Sequence, residues 1–356
     1  MRPTQSQLAE AAGVSTATVD RVLNGRSGVS ARTRQIVHNA ARQIGYLPDD
    51  QPSGAPKRLI AILPKGNNDF IDDLRAHLTA EAAIMQGVTL DLPKVSGLEI
   101  AATVDALGAA RDTDGIAVVA QSHPRVHDAL LRLSARKVPV VTLLSDLPDT
   151  LRHAYVGIDN LRAGRLAGEV ITRFLGPNPT GQIALFAGAL AYRGHQEREV
   201  GLRQYLAEEA PELTILDIRE SGDDPDRAFA QAADKLRDHP GLAAIYNAGG
   251  GTTGIARALQ DAGRADTLIF VAHEATEANK ALLLDGTLDA IIDQNAKREA
   301  QETLRILLAA ARGTTHPPTQ PLLHLILREN IPSDVIPTLP DPSQPEPAHH
   351  DSGYPA

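Results

Sequence analysis

The chain has 356 residues, 42 % hydrophobic and 22 % charged, with a net charge of −9 and no cysteine; the length implies two or three domains, and the missing cysteines exclude disulfides and thiolate metal sites. No apolar run approaches the roughly 18 residues that would span a bilayer, and the first residues lack the apolar stretch of a secretory signal, so the expected location is the cytoplasm, with no membrane partner. The charge is uneven: residues 1–58 hold eight Lys/Arg against four Asp/Glu, giving +4 and leaving −13 for the rest, so only the basic end suits a phosphate backbone.

Thr4-Gln5-Ser6-Gln7 has capping-box form, in which Thr4 satisfies a free helix N–H and Gln7 reaches back to another. The spacing predicts a helix from near Gln5, with Leu8, Ala11 and Ala12 on one stripe. Gly13-Val14-Ser15 then supplies a short turn, with Ser15 as the next N-cap. This is a helix-turn-helix corner. In the second helix Val19, Val22 and Leu23 face inward, which points Thr16, Ala17, Asp20, Arg21 and Asn24 outward. A third helix, capped by Ser30 and ended by Gly45, is expected to bury Ile36, Ala40 and Ile44. The small, polar outer face of the second helix suits seating in a major groove, with Arg21 reaching a base or phosphate. The lesser alternative from periodicity alone is that an exposed polar helix on a three-helix module binds another protein.

The run LAEAAGVSTATVDRVLNGRSGVSARTRQIVHNAARQIGYLPD resembles the DNA-binding headpiece of the lac repressor (LacI/GalR) family over nearly its whole length. The resemblance implies that Thr16 and Ala17 open the recognition helix and discriminate bases, that Arg21 and Asn24 assist at bases and backbone, and that Ser15, Thr18, Ser30 and Thr33 contact phosphates. Asp20 stands where that family usually carries Ser; it either accepts from a cytosine amino group or pairs with a neighbouring arginine, and pairing is the expectation. The family pattern continues into a short helix whose leucine wedges into the minor groove. Here residues 49–58 begin Asp49-Asp50-Gln51-Pro52-Ser53-Gly54-Ala55-Pro56, where two prolines and a glycine oppose a helix. A flexible linker without a clear hinge helix is expected, with less DNA bending than in relatives that carry it.

From Arg58 onward apolar runs alternate with amphipathic helical stretches: RLIAILP, VTLDLPKV, GIAVVAQ and VPVVTLLSD, then GQIALFAGAL, LTILDIRE, LAAIYNA, TLIFVAHE and LDAIIDQN. This predicts two parallel-sheet lobes. The expected organisation is a three-helix headpiece over 1–48, the linker, a two-lobed ligand-binding domain over 59–330, and a disordered Pro-rich tail over 331–356.

Open parallel sheets bind ligands beyond the carboxyl ends of their strands. Polar candidates there are Asn67, Asn68 and Asp69 with Phe70; Ser145 and Asp146; Asp159 and Asn160; Arg193, His195 and Arg198; Asn247; His273 and Glu274; and Gln294. Singly each reads as a helix cap or solvated loop residue, but together they ring one cleft. Residues from about 59 to 330, with the landmarks PVVTLLSD, YVGIDNLRAGRLAG and LLLDGTLDAIIDQN, resemble the type 1 sugar-binding periplasmic protein fold shared by the same regulator family. The resemblance implies that Phe70 stacks on a sugar face while Asn68, Asp146, Arg198, Asn247, His273 and Gln294 hydrogen-bond its hydroxyls. Many relatives carry Asp where Gly249 and His273 stand; two carboxylates fewer, with Arg198 kept, make a sugar acid or phosphorylated sugar more plausible than usual.

Two rival readings arise. Gly249-Gly250-Gly251-Thr252-Thr253-Gly254 satisfies the dinucleotide fingerprint after a strand, with Glu274 ending the next one, but no proton donor or hydride site accompanies it. Neither a catalytic residue, a cofactor nor a metal is expected: Asp69, Asp72, Asp73 and Asp223, Asp224, Asp226 read as helix-start acids that complement the dipole. A transporter's solute-binding component would use the same cleft but needs export. The expected protein is therefore a transcriptional regulator, most simply a repressor, that acts as a homodimer, with a tetramer also allowed. It binds a near-palindromic double-stranded operator under control of a carbohydrate-like effector.

Overall fold

The structure is a computed structural model that describes residues 3–23, 29–44, 46, 55–147, 152–317, 319 and 322–332. The chain divides into two compact units, 1–56 and 57–356. Asn24, Gly45, most of the expected linker and nearly all of the expected tail lie outside the described residues.

The first unit holds α1 (Gln5–Ala12), α2 (Thr16–Leu23) and α3 (Ala31–Gln43). The capping box forms as the sequence requires: Gln7 N donates to Thr4 Oγ1 at 3.3 Å and Thr4 N to Gln7 Oε1 at 2.9 Å. Gly13 ends α1 at φ 62°, a left-handed conformation that glycine enters without strain. Leu8, Ala9, Ala12, Val19, Val22, Val37, Ala40 and Ala41 form the core. The inward face of α3 differs from the expected one. Ile36 is 43 % exposed and Val37 is fully buried, so the inward stripe of α3 runs Val37, Ala40, Ala41 with Ile44 packed at its edge, one residue from the expected spacing of Ile36, Ala40, Ile44.

The second unit opens with β1 (Lys57–Lys65), which starts two residues before the expected boundary. The first lobe comprises α4 (Asp69–Ile84), β2 (Val88–Asp91), β3 (Lys94–Ser96), α5 (Ile100–Ala109), β4 (Gly115–Val118), α6 (Pro124–Ala135), β5 (Val140–Leu143) and β6 (Ala154–Val156). Its sheet order is β2-β1-β4-β5-β6, all parallel, with β3 also on β1. The run VTLDLPKV, expected as one strand, is thus two short strands that break at Leu92-Pro93. Alternation along β1 sorts its side chains: Leu59, Ala61 and Leu63 pack with α4, and Ile60 and Ile62 with α5 and α6. Burial on both faces explains why the strand reads as an unbroken apolar run.

The second lobe comprises α7 (Asn160–Leu175), β7 (Gly181–Ala187), α8 (Arg193–Glu209), β8 (Leu213–Ile215), β9 (Arg219–Glu220), α9 (Pro225–Asp238), β10 (Leu242–Asn247), α10 (Thr252–Asp261), β11 (Ile269–His273), α11 (Glu277–Asp285) and β12 (Ala290–Asp293). After α12 (Ala296–Ala311), β13 (His324–Ile326) closes the order β13-β12-β11-β10-β7-β8, with only β12–β13 antiparallel. Helix α12 packs on α4, β1, β4, β5 and β6, so it belongs to the first lobe, while β13 returns to the second. The chain therefore passes between lobes three times: after β6, after β12 and after α12.

Candidate functional site

A cavity of about 500 Å³ lies between the two lobes at the carboxyl ends of their strands. Of the expected effector residues, Asn68, Asp69, Phe70, Ser145, Arg198, His273, Glu274 and Gln294 line it. Phe70 and Tyr192 bring aromatic surface, the latter edge-on to His195 with ring centres 6.0 Å apart.

Arg198 is the fixed point of the floor. It is 4 % exposed. Its Nε donates to Asn160 Oδ1 at 2.8 Å and its Nη1 to the Ala248 carbonyl at 2.9 Å, while Nη2 stands 3.5 Å from Glu274 Oε1. The α7–α8 contact that positions it depends on missing side chains: a Cβ on Gly164 would stand 1.9 Å from the Arg198 carbonyl oxygen, and one on Gly201 2.0 Å from that of Leu161.

Glu274 follows β11 with φ 71° and accepts from Gln294 Nε2 at 2.7 Å. Burial pushes its carboxyl up to about 8, against the opposing pull of Arg198. Behind it on α12, Glu299 is 2 % exposed; burial and then Glu274 and Asp293 hold its carboxyl well above the usual range. His273 is neutral because burial, followed by Arg198 and His195, lowers its basicity. Its Nε2 lies 2.7 Å from the buried Tyr246 hydroxyl. Among the described residues His273 Nδ1, Glu274 Oε2 and Gln294 Oε1 have no hydrogen-bond partner, so three lining side chains keep polar capacity that a ligand could use.

Four expected effector residues do not line the cavity, and each is satisfied locally. Asp146 takes two hydrogen bonds from Arg152, at 2.6 and 2.8 Å, and one from Leu147 N. Asp159 caps α7 by accepting from Arg162 N. Arg193 pairs with Glu197. Asn247 is fully buried and ties the following loop, donating to Gly250 O and Thr252 Oγ1 and accepting from Gly249 N.

Asp223 reads in the sequence as a helix-start acid, yet it lines the cavity and Asp224 is the α9 cap. Asp223 sits at φ 58°, accepts from Gly250 N at 2.7 Å, and accepts from Asn68 Nδ2 of the other lobe at 3.0 Å. It follows β9 as Asn68 follows β1, so the strand-end rule could have found it. The glycine run that mimics a dinucleotide fingerprint has a packing cause: a Cβ on Gly249 would meet Gly188 N at 2.3 Å, one on Gly250 the Asp223 carboxylate at 2.8 Å, and one on Gly254 Pro225 O at 1.8 Å.

On the first unit, Thr16, Ala17 and Arg21 are exposed on one side of α2. Ser15 Oγ lies 2.9 Å from Thr18 Oγ1 and accepts from Thr18 N, and Ser30 and Thr33 repeat the arrangement at 2.8 Å. These four hydroxyls mark the starts of α2 and α3, where free N–H groups favour an anion. Asn24 lies outside the described residues.

Two α/β lobes joined by three chain crossings around a polar and aromatic cleft define a ligand-binding protein of the two-lobed type. Residues 60–315 match the family described as periplasmic binding protein domain, and residues 6–49 match bacterial regulatory proteins of the lacI family. The chain belongs to the periplasmic binding protein domain family and carries a lacI-family DNA-binding region at its N-terminal end. It is 26 % identical over 355 residues to the HTH-type transcriptional regulator CelR of Thermobifida fusca, covering 92 % of this chain and 98 % of that protein. It is also 26 % identical over 162 residues to a D-ribose/D-allose-binding protein of Pseudomonas aeruginosa, covering 45 % of this chain and half of that protein. In fold it is similar to the glucose-galactose binding protein GanP of Geobacillus stearothermophilus (TM-score 0.71, 22 % identity, 78 % of this chain and 100 % of that one). It is likewise similar to a LacI transcriptional regulator from Bacteroides fragilis described as putative (TM-score 0.70, 18 % identity, 78 % and 98 %).

Proposed function

We propose that this chain is a sequence-specific DNA-binding transcriptional regulator, acting as a repressor, whose operator affinity is set by a small carbohydrate-like effector held between the lobes of its second unit. The observation that carries the reading is the pairing, in one chain, of a lacI-type headpiece with an exposed α2 face and a two-lobed domain enclosing a cavity of about 500 Å³. The cavity volume suits a monosaccharide or a small derivative. Phe70 and Tyr192 supply flat apolar surface, and Arg198, Glu274, His273 and Gln294 supply donors and acceptors at the floor. The role of this site is binding, with no substrate turned over.

One headpiece covers little DNA, so two copies on adjacent half-sites are required for specificity, which makes the working form a homodimer on a near-palindromic operator inside the cell. An effector changes operator affinity only by binding the competing lobe arrangements unequally. Selection of sequences from a random duplex pool by the full-length protein tests the reading. A palindromic consensus, with affinity that falls steeply with salt, is expected. Recovery of no preferred sequence overturns it.

A further inference from the structure

The lips of the cleft are rich in carboxylates. On the first lobe Asp69 and Asp72 line the cavity at the start of α4, with Asp73 beside them. On the second lobe Asp223 lines it, and Glu277 opens α11. The two lips feel one another: the Asp73 carboxyl is raised by burial, then by Asp69, and further by Glu277 and Asp72, with Lys280 opposing. Lys65 at the rim, Lys280 paired with Glu277, Arg227 beside Gly222 and the buried Arg198 at the floor stand against these acids.

The positions of Asp69, Asp72 and Glu277 have a helix-dipole explanation, but that of Asp223 does not. It precedes the cap of α9 in a left-handed backbone conformation that a short Asp side chain tolerates. Its carboxylate is closely packed. Gly188 and Gly250 are bare where a Cβ would come 2.2 and 2.8 Å from its carboxylate oxygen Oδ1, and the Gly250 N–H holds that oxygen. The other oxygen meets Asn68 of the opposite lobe, an amide that a ligand could replace. At the floor, by contrast, Arg198 is committed to Asn160, the Ala248 carbonyl and Glu274, which leaves it less free to meet a ligand acid. His273 and Gln294, both at least 97 % buried, face this cavity with a polar atom unpartnered among the described residues.

We propose that the effector is a cation, a polyol of monosaccharide size bearing a protonated amine, with Asp223 as the carboxylate that selects it. The inference rests on the effector reading above and replaces the sugar acid that the sequence favoured. Like charges on opposite lips oppose closure, and a positive group between them removes that cost, so the same charge that selects the ligand couples its binding to lobe closure.

Calorimetry on the full-length protein with matched amine, neutral and acid forms of one sugar tests this: glucosamine, glucose and gluconate, then the galactose and mannose sets. In at least one set the amine should bind about tenfold tighter than its neutral counterpart, and the acid should bind weakest. Asp223→Asn, which keeps the oxygen that Gly250 holds, should lower the amine's affinity about tenfold and leave the neutral sugar within about threefold. Glu277→Gln should lower it less, and an unchanged melting temperature in both variants excludes a folding defect. A neutral or acid form that binds best and is lost in Arg198→Ala overturns the charge assignment while the effector reading stands; no binding by any of the nine overturns both.

Discussion

Asn160 links Arg198 to the opposite lobe. Its Oδ1 accepts from Arg198 Nε at 2.8 Å, and its Nδ2 donates to the Leu144 carbonyl at 3.0 Å and lies 3.2 Å from the Tyr155 hydroxyl. Asn160 is the first residue of α7, directly after the first crossing between lobes. The cavity floor and the hinge therefore share one hydrogen-bond chain, and a shift of Arg198 cannot leave the lobe junction unchanged.

Truncation of Arg198 to Ala strands the Asn160 carbonyl oxygen and the Ala248 carbonyl and removes the cation beside Glu274. Each stranded buried acceptor costs about 1–3 kcal/mol, so the expected loss is about 2–6 kcal/mol of unfolding free energy, together with all effector-induced stabilisation. Arg198→Lys should recover part of the stability, because a donor returns, and little of the binding, because the fork of donors does not. Urea denaturation with and without ligand checks both.

The pH dependence of stability should carry the mark of Glu274. Its folded-state value, about 8, lies above the ordinary value of 4.5, so the folded protein holds this proton more tightly than the unfolded chain. The group costs nothing below about pH 4.5. Its penalty then grows as pH rises through the interval to 8, by roughly 1.4 kcal/mol for each pH unit, and levels off above. Glu274→Gln has no proton to lose, so its melting temperature relative to the native protein should climb across that window. Parallel curves would contradict the assignment. Glu299, raised in the same direction, predicts the same sign for Glu299→Gln.

Packing of α7 on α8 gives a test independent of charge. Gly164→Ala places a methyl 1.9 Å from the Arg198 carbonyl oxygen, so it should destabilise by about 1–3 kcal/mol and also weaken effector binding. In α5, a Cβ on Gly108 would meet nothing within 4 Å, and the backbone there is not left-handed. Gly108→Ala should therefore stabilise by up to about 1 kcal/mol. Thermal melts of the two variants should move in opposite directions.

At the other end of the chain, Arg21 is exposed and sits in the last turn of α2. Arg21→Ala should weaken binding to the selected duplex by about 1–3 kcal/mol and change stability by less than about 0.5 kcal/mol. Fluorescence anisotropy and a thermal melt on the same sample separate the two effects.

Much of this was legible in the residues because the signals are local. The capping box at Thr4 and Gln7 and the caps at Ser15 and Ser30 are set by a few atoms within one helical turn. The two parallel-sheet lobes follow from alternation of apolar runs with helices. What failed was side-chain destination. Asp146 and Asp159 stand at strand ends as Asn68 does, but Arg152 and Arg162 lie close enough in sequence to satisfy them. Asp223 hid behind its neighbour Asp224, which is the true cap. Ile36 and Val37 are adjacent apolar residues, and only the angle at which α3 meets α1 and α2 decides which is buried.

Control of the headpiece by the cleft is read from the operator affinity of the full-length protein, measured at one salt concentration with the cavity empty and with it saturated by the strongest ligand of the sugar panel. Occupancy should change affinity by about 5- to 150-fold, the range of a coupling of 1–3 kcal/mol, and Arg198→Ala should abolish the change while the empty protein still binds DNA. Equal affinity at zero and full occupancy would contradict the claim that the cleft governs the headpiece.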